Sequence, residues 1–401
     1  MVSDIQLPQG FYASGVYCGI AKKPKPADLT LIYSERICNA AGIFTRNLVK
    51  AAPIIVSQKN LESGTAQAIV ANSGCANAAT GDQGLKDAKK MCALAADAFK
   101  IKNNHVLVAS TGVIGSTLPI EKIKQGIKNL SSQLNPKNKK IYNNPLKAVY
   151  GIMTTDKVPK FEKREFIMEG KTVRLWGCVK GAGMIHPNMA TMLSFILTDA
   201  ELPIPIMKKM LKTSCDQSFN AATVDGDTST NDSVFFLANG LSAKIKKPKD
   251  LEKFNFELKS LCESLTKKMI SDGEGATKLI QVIVRGARSN REAKKIAEVV
   301  ATSPLVKTAF FGEDANWGRI LAAAGRSGVK FHPNKTDLLL ENLSLAKKGK
   351  AVIFSETKAK KILSQKEIRI FLNLHEGKAS AHYWTCDFSL DYVKINSDYR
   401  S

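Results

Sequence analysis

The stretch from Lys180 to Leu193, KGAGMIHPNMATML, constrains this chain more than any other. Gly181 and Gly183 reach backbone conformations that residues carrying a Cβ resist. Pro187 has no amide hydrogen and blocks a helix through the loop. The run from Met189 to Leu197 is apolar enough to be a buried strand. A loose loop therefore feeds a short core strand, with Ala190 and Thr191 at the junction.

A small residue followed by Thr at such a junction is what an autoproteolytic N-terminal nucleophile requires. The Thr191 hydroxyl would attack the Ala190 carbonyl, the acyl group would shift from nitrogen to oxygen, and water would release the ester. Thr191 would then carry a free α-amine, whose pKa of roughly 7.7–8.0 leaves a useful neutral fraction to act as general base. Taken alone, an Ala-Thr pair before an apolar run is more often an ordinary strand start.

The rest of the chain narrows the classes. Its 401 residues can bury a substantial core in two or more domains. The apolar runs are far short of a bilayer span. The N-terminal MVSDIQLPQGF has no basic stretch followed by an apolar block, so neither a secretory signal nor a transit peptide is expected, and a cytoplasmic location is. Eight cysteines without a CxxC pair read as reduced thiols, and five histidines without ligand spacing give no metal site. The net charge of +23 invites a nucleic-acid reading. Its lysines, however, are dispersed in short clusters such as 22–25, 137–140, 244–249 and 347–350, without the interleaved aromatics of a stacking platform. A solvated Lys-rich surface is the simpler reading, and no nucleic-acid or membrane partner is expected.

Periodicity divides the chain into elements. Residues up to about Pro53 alternate like antiparallel strands. Strands are expected at 67–71, 105–110, 173–179, 189–197 and 277–285, with Ser110–Gly115, STGVIG, as a loop after the second. Helices are expected at 83–100, 122–134, 206–219 and 251–271, and from the Ser289/Glu292 capping box through Val300. The closing residues from Tyr392 alternate like a strand. Without a regular βαβ rhythm, the fold class is α+β.

KGAGMIHPNMATML strongly resembles the signature of the ornithine acetyltransferase (glutamate N-acetyltransferase) family of arginine biosynthesis. STGVIG, MTTD at Met153–Asp156, DGEGATK at Asp272–Lys278 and NSDYRS at Asn396–Ser401 resemble that family in the same order. The resemblance covers essentially the whole chain. It implies a helix/sheet/sheet/helix sandwich of the N-terminal-nucleophile type with a smaller C-terminal α/β domain from about residue 285. It implies cleavage into an alpha fragment, 1–190, and a beta fragment, 191–401, two of each forming a heterotetramer. It implies acetyl transfer from N2-acetylornithine to glutamate through acetyl-Thr191, without a cofactor, and leaves acetyl-coenzyme A open as a second donor.

The residue roles follow from the same match. A Thr-Gly pair after a strand offers a hydroxyl and an N–H to a tetrahedral oxyanion, and in the family the pair matching Thr111 and Gly112 does so. The substrate-contacting positions carried over are Thr154, Lys180, Thr191, Glu274, Asn396 and Ser401, with Thr155 the alternative to Thr154. Lys180 suits a substrate carboxylate and Glu274 an ammonium. Many relatives end in Thr where this chain has Ser401, and either hydroxyl can hydrogen-bond. Competing motifs fail: Glu165 stands where a Walker loop needs its first Gly, and His186 stands where a dinucleotide fingerprint needs its third. A related N-terminal-nucleophile aminopeptidase or amidase is the alternative enzyme. A basic nucleic-acid binder that has lost catalysis is the alternative outside enzymes.

Overall fold

The structure is a computed structural model and describes residues 5–135, 141–186 and 192–398. The chain divides into two compact units. Over the described residues the first comprises 5–135, 141–181, 192–216 and 228–265, and the second 182–186, 217–227 and 266–398.

The first unit begins with β1 (Phe11–Val16) and the sixteen-residue β2 (Leu29–Phe44). It continues through α1 (Ala52–Asn60), β3 (Thr65–Cys75), α2 (Gly81–Phe99), β4 (Val106–Val113), α3 (Ile120–Leu134) and α4 (Pro145–Tyr150). Then come β5 (Lys160–Met168), β6 (Lys171–Lys180), β7 (Leu193–Thr198), α5 (Ile204–Gln217), β8 (Ser233–Ala238) and, up to residue 265, α6 (Pro248–Ser271). The length of β2 makes the architecture. Its first half pairs with β1 and β3, β3 pairing resumes at Cys38 and Asn39 after a register shift from Tyr33, and residues 39–44 pair with β8. One strand thus belongs to two layers, β1-β2-β3-β4 and β2-β8-β7-β6-β5.

Period-2 alternation decides what each face buries. Ile32, Ala40, Ile69, Ala71, Leu107 and Ala109 meet Trp176, Phe195, Phe235 and Leu237 in one core between the layers. Phe195 stacks on Phe235 with centroids 5.6 Å apart. The alternate residues Leu29, Leu31, Val70 and Val108 pack against Ala88, Met91, Ile123 and Ile127 of α2 and α3. On the far side Phe254 of α6 stacks on Phe236, and a Cβ at Gly177 would come within 2.9 Å of Leu261. The layering is helix/sheet/sheet/helix. Within it β3/β4 and β7/β8 are parallel pairs, and the other pairs are antiparallel.

The second unit is built on β9 (Leu279–Ala287). It continues with α7 (Asn290–Ala301), α8 (Pro304–Phe311), α9 (Trp317–Gly325), β10 (Asp337–Leu340), β11 (Leu343–Lys347) and β12 (Lys350–Ala351). It closes with α10 (Glu356–Leu363), β13 (Glu367–Asn373), β14 (Ala379–Cys386) and α11 (Leu390–Ser397). The sheet order is β12-β11-β10-β13-β9-β14, with β9 and β13 parallel. Val282, Val284, Ile296, Val300, Leu338 and Ile370 share its core. Ser289 Oγ accepts from the Glu292 N–H at 3.2 Å, as the capping box requires.

Three local expectations change. Ser110–Val113 is strand rather than loop, because β3 and β4 continue pairing through an irregularity in which Cys75 faces both Thr111 and Val113. The closing segment is the helix α11 rather than a strand. Its contacts follow a period of four: Asn396 Nδ2 donates to the Tyr392 carbonyl at 3.0 Å, and the Tyr392 ring lies 4.6 Å from that of Phe388. Pro53 opens α1 instead of ending a strand, since a first-turn proline sacrifices no helical hydrogen bond. All eight cysteines are free thiols. Among the described residues, no helix is long and apolar enough to cross a membrane.

Candidate active site

Thr111 and Gly112 lie near the C-terminal end of β4, where they are held from three sides. Ser110 Oγ donates to Asn72 Oδ1 at 2.6 Å, and Asn72 Nδ2 donates to the Cys75 carbonyl at 2.9 Å. Asn231 Nδ2 donates to the Ser110 carbonyl at 2.9 Å and to the Ala76 carbonyl at 2.6 Å. Gly112 has φ +130°, and a Cβ there would sit 2.4 Å from the Gly74 carbonyl carbon. Only glycine fits both that conformation and that approach. A buried hydroxyl at Thr111 thus stands beside a backbone N–H in a fixed, low-dielectric setting, which suits a pair of oxyanion donors.

Asp156 organises the neighbouring turn. Its Oδ1 accepts from Gly181 N at 2.8 Å and from Lys160 Nζ at 2.7 Å, while its Oδ2 accepts from Thr154 N at 2.8 Å. The MTTD segment and the start of the signature loop therefore share one carboxylate. Burial pushes the Asp156 carboxyl up, but Lys160, Lys180 and the Thr154 N–H together hold it below the usual range. Lys180, the last residue of β6, is itself buried. The backbone N–H that Asp156 takes from this turn belongs to Thr154, not to the adjacent Thr155.

Met192 directly follows the junction. Its N–H donates to Asp232 Oδ1 at 2.9 Å, and its carbonyl accepts from Ser233 N at 3.1 Å. Burial drives the Asp232 carboxyl well above the ordinary range, against the Met192 N–H and the nearby charge of Lys180. Ala190, Thr191 and Ser401 lie outside the described residues.

Glu274 and Asn396 meet within the second unit. Asn396 Nδ2 donates to Glu274 Oε2 at 2.9 Å, and Glu274 N donates to the Ala182 carbonyl at 2.8 Å. A Cβ on Gly183 would lie 2.3 Å from that carboxylate, so the second glycine of the signature is a steric requirement of Glu274. Asp225 holds the next residues, accepting from Met184 N at 2.5 Å and Ile185 N at 2.9 Å. His186 packs locally: Nδ1 is 3.4 Å from Thr223 Oγ1 and Nε2 is 3.5 Å from Glu298. Burial lowers its pKa, and the Glu298 charge opposes the shift.

Asp225, Asn231 and Asp232 escape a reading by motif because each acts through backbone groups of distant segments. The Asp/Thr/Gly-dense stretch 223–233 was the available signal, since short polar side chains in a loop seek backbone partners.

Comparison with known proteins shows the family. The ArgJ family profile matches residues 12–401. The arginine biosynthesis bifunctional protein ArgJ of Thermotoga neapolitana is 46% identical over 98% of this chain and 100% of its own length. ArgJ 1 of Clostridium acetobutylicum is 48% identical over 98% of this chain and 96% of its own. A crystal structure of the Bacillus halodurans ArgJ protein, 41% identical, aligns with a TM-score of 0.50 over 52% of this chain and 99% of that one. Extending over nearly every residue and including the loop that carries Ala190 and Thr191, the match establishes that this chain belongs to the ArgJ family of arginine biosynthesis proteins.

Proposed function

We propose that this enzyme cuts itself between Ala190 and Thr191 and then moves acetyl from N2-acetylornithine to glutamate on Thr191. The observation that carries the reading is the hold on both flanks of the junction. Asp156 fixes the Gly181 N–H on one side and Asp232 fixes the Met192 N–H on the other. In the self-cleavage step, Thr191 Oγ attacks the Ala190 carbonyl, the C–N bond breaks as its nitrogen takes a proton, and water hydrolyses the resulting ester.

In the transfer step, Thr191 Oγ attacks the acetyl carbonyl and its proton passes to the Thr191 α-amine. Thr111 Oγ and the Gly112 N–H donate to the oxyanion. The C–N bond of acetylornithine breaks, the proton goes to the leaving amine, and ornithine departs from an acetyl ester. The glutamate amine then attacks that ester, and the same groups run in reverse. Thr154, Lys180, Glu274, Asn396 and Ser401 are the substrate contacts that the family match supplies. Acetyl-coenzyme A can replace acetylornithine by donating its thioester acetyl to the same oxygen. No cofactor is required. The cleaved fragments, 1–190 and 191–401, remain associated as two alpha and two beta chains in the cytoplasm.

Intact mass spectrometry tests the first step: wild type should give two fragments, and Thr191→Ala one uncut chain without transfer activity. Initial rates test the second, with parallel lines for acetylornithine and glutamate and an acetyl group trapped on Thr191. A Thr191→Ala protein that still splits at this bond defeats the proposal, as do intersecting lines with no acetyl on Thr191.

A further inference from the structure

Among the described residues, Lys25 is an ammonium without an ion-paired counterion in a place where one is expected. It sits in the segment Lys22-Lys23-Pro24-Lys25-Pro26 between β1 and β2, and unlike Lys22 and Lys23 it turns inward and is half-buried. Two prolines restrict the backbone on either side of it. The preceding residues press onto β3, where a Cβ on Gly74, at φ +101°, would lie 2.9 Å from the Ala21 Cα. Lys25 Nζ donates to Ser73 Oγ at 2.8 Å and to the Met153 carbonyl at 2.5 Å. Both acceptors are neutral.

The nearby carboxylates are already engaged elsewhere. Asp28 accepts the N–H groups of Cys18 at 2.7 Å, Ile20 at 2.6 Å and Ala21 at 3.1 Å. Asp156 accepts from Thr154, Lys160 and Gly181. Lys25 forms no ion pair with either among the described residues. Burial lowers its amine from the usual lysine value to about 8, with the Lys180 charge adding to the shift and Asp28 and Asp156 opposing it. Withdrawing an ammonium from water without a partner is costly. Its position suggests what repays that cost. Ser73 faces Thr111 in the β3/β4 register, and Met153 precedes Thr154. Lys25 thus bridges the strand pair of the proposed oxyanion donors and the turn of the proposed substrate contact, within electrostatic reach of Lys180.

We propose that Lys25 is a further substrate-binding residue, its remaining N–H donating with Lys180 to the carboxylate that acetylornithine and glutamate share. The inference rests on the acetyl-transfer reading of this site. A charge-assisted hydrogen bond of this kind corresponds to a change of roughly 10- to 100-fold in binding.

Steady-state kinetics of the cleaved enzyme tests it. Lys25→Met should raise KM for both acetylornithine and glutamate by about 10- to 100-fold with kcat within about threefold, and Lys25→Arg should recover much of the loss. Lys22→Met, an exposed change in the same loop, should leave both KM values alone. In wild type, KM for acetylornithine should climb above about pH 8 as Lys25 loses its proton, and this climb should vanish in Lys25→Arg, whose guanidinium stays charged. A merely structural strap would lower kcat or stability without that pH signature. Unchanged KM values overturn the proposal. So does an increase confined to acetyl-coenzyme A, which would assign Lys25 to phosphates. A pH-independent wild-type KM also overturns it, even if Lys25→Met does not fold. Failure of the underlying reading is separate, because it would appear in wild type as an uncut chain or an absence of acetyl transfer.

Discussion

Replacing Gly112 by alanine puts the strand pair under the proposed oxyanion donors to a quantitative test. A methyl at this position would lie 2.4 Å from the Gly74 carbonyl carbon, 2.6 Å from Cys75 N and 2.8 Å from the Gly74 Cα. Carbon contacts relax at about 3.5–4.0 Å, so the overlap is more than 1 Å and is entirely against backbone. No side-chain rotation relieves it, and β3 must move away from β4. Overpacking of this kind costs about 1–3 kcal/mol. Alanine at φ +130° adds a backbone strain of about 1–3 kcal/mol. The sum is roughly 2–6 kcal/mol, a large part of the ~5–15 kcal/mol that holds an ordinary domain together. Gly115 is the control. It has φ +82° but nothing within 4 Å of an added Cβ, so Gly115→Ala carries the strain alone. Urea unfolding of both variants, followed by circular dichroism, should show Gly112→Ala losing about 1–3 kcal/mol more than Gly115→Ala. Acetyl transfer by folded Gly112→Ala should fall well below that of folded Gly115→Ala, because the displaced strand carries Thr111. Equal stability losses in the two variants would refute the close β3/β4 approach and the constraint argued from it.

Four further outcomes are expected. Thr111→Ala should lower the transfer rate by roughly 10²–10³ while leaving substrate KM nearly unchanged, as loss of a transition-state donor does. Asp156→Asn should cost about 3–5 kcal/mol by urea unfolding, because it removes the carboxylate of a buried ion pair whose Lys160 and Asp156 side chains are 1% and 0% exposed. The Asp156 carboxyl titrates lower folded than unfolded, so its stabilisation is fully present above about pH 4 and is lost as pH falls through the lower folded value; that acid component should be missing from the Asp156→Asn profile. Deleting residues 398–401, or extending the chain beyond Ser401, should raise KM or abolish transfer while intact mass shows self-cleavage unchanged, and full activity would show an ordinary terminus. Binding to DNA should be weak, independent of sequence and abolished by moderate salt in a gel-shift titration, given scattered lysines without interleaved aromatics.

The sequence by itself determined the family signature, the α+β class and the five longest helices, because these are local properties. Three- and four-residue apolar spacing marks α2, α3 and α6 whatever surrounds them, and the Ser289 cap needs only the next three residues. Tertiary structure decided the rest. No local pattern announces that β2 serves two layers, since that depends on β8 arriving from about 200 residues away. Period alone misassigned α11, where Tyr392 and Asn396 are neighbours only once the helix exists and Glu274 offers an acceptor. The same holds for the supports of the site. Asp156, Asp232, Asn231 and Lys25 are ordinary polar residues in sequence, and they acquire meaning when folding brings the N–H of Gly181 and Met192, the carbonyl of Ser110 and the hydroxyl of Ser73 within hydrogen-bonding reach. A buried backbone group must find a partner wherever the chain can supply one, and that choice is made in three dimensions.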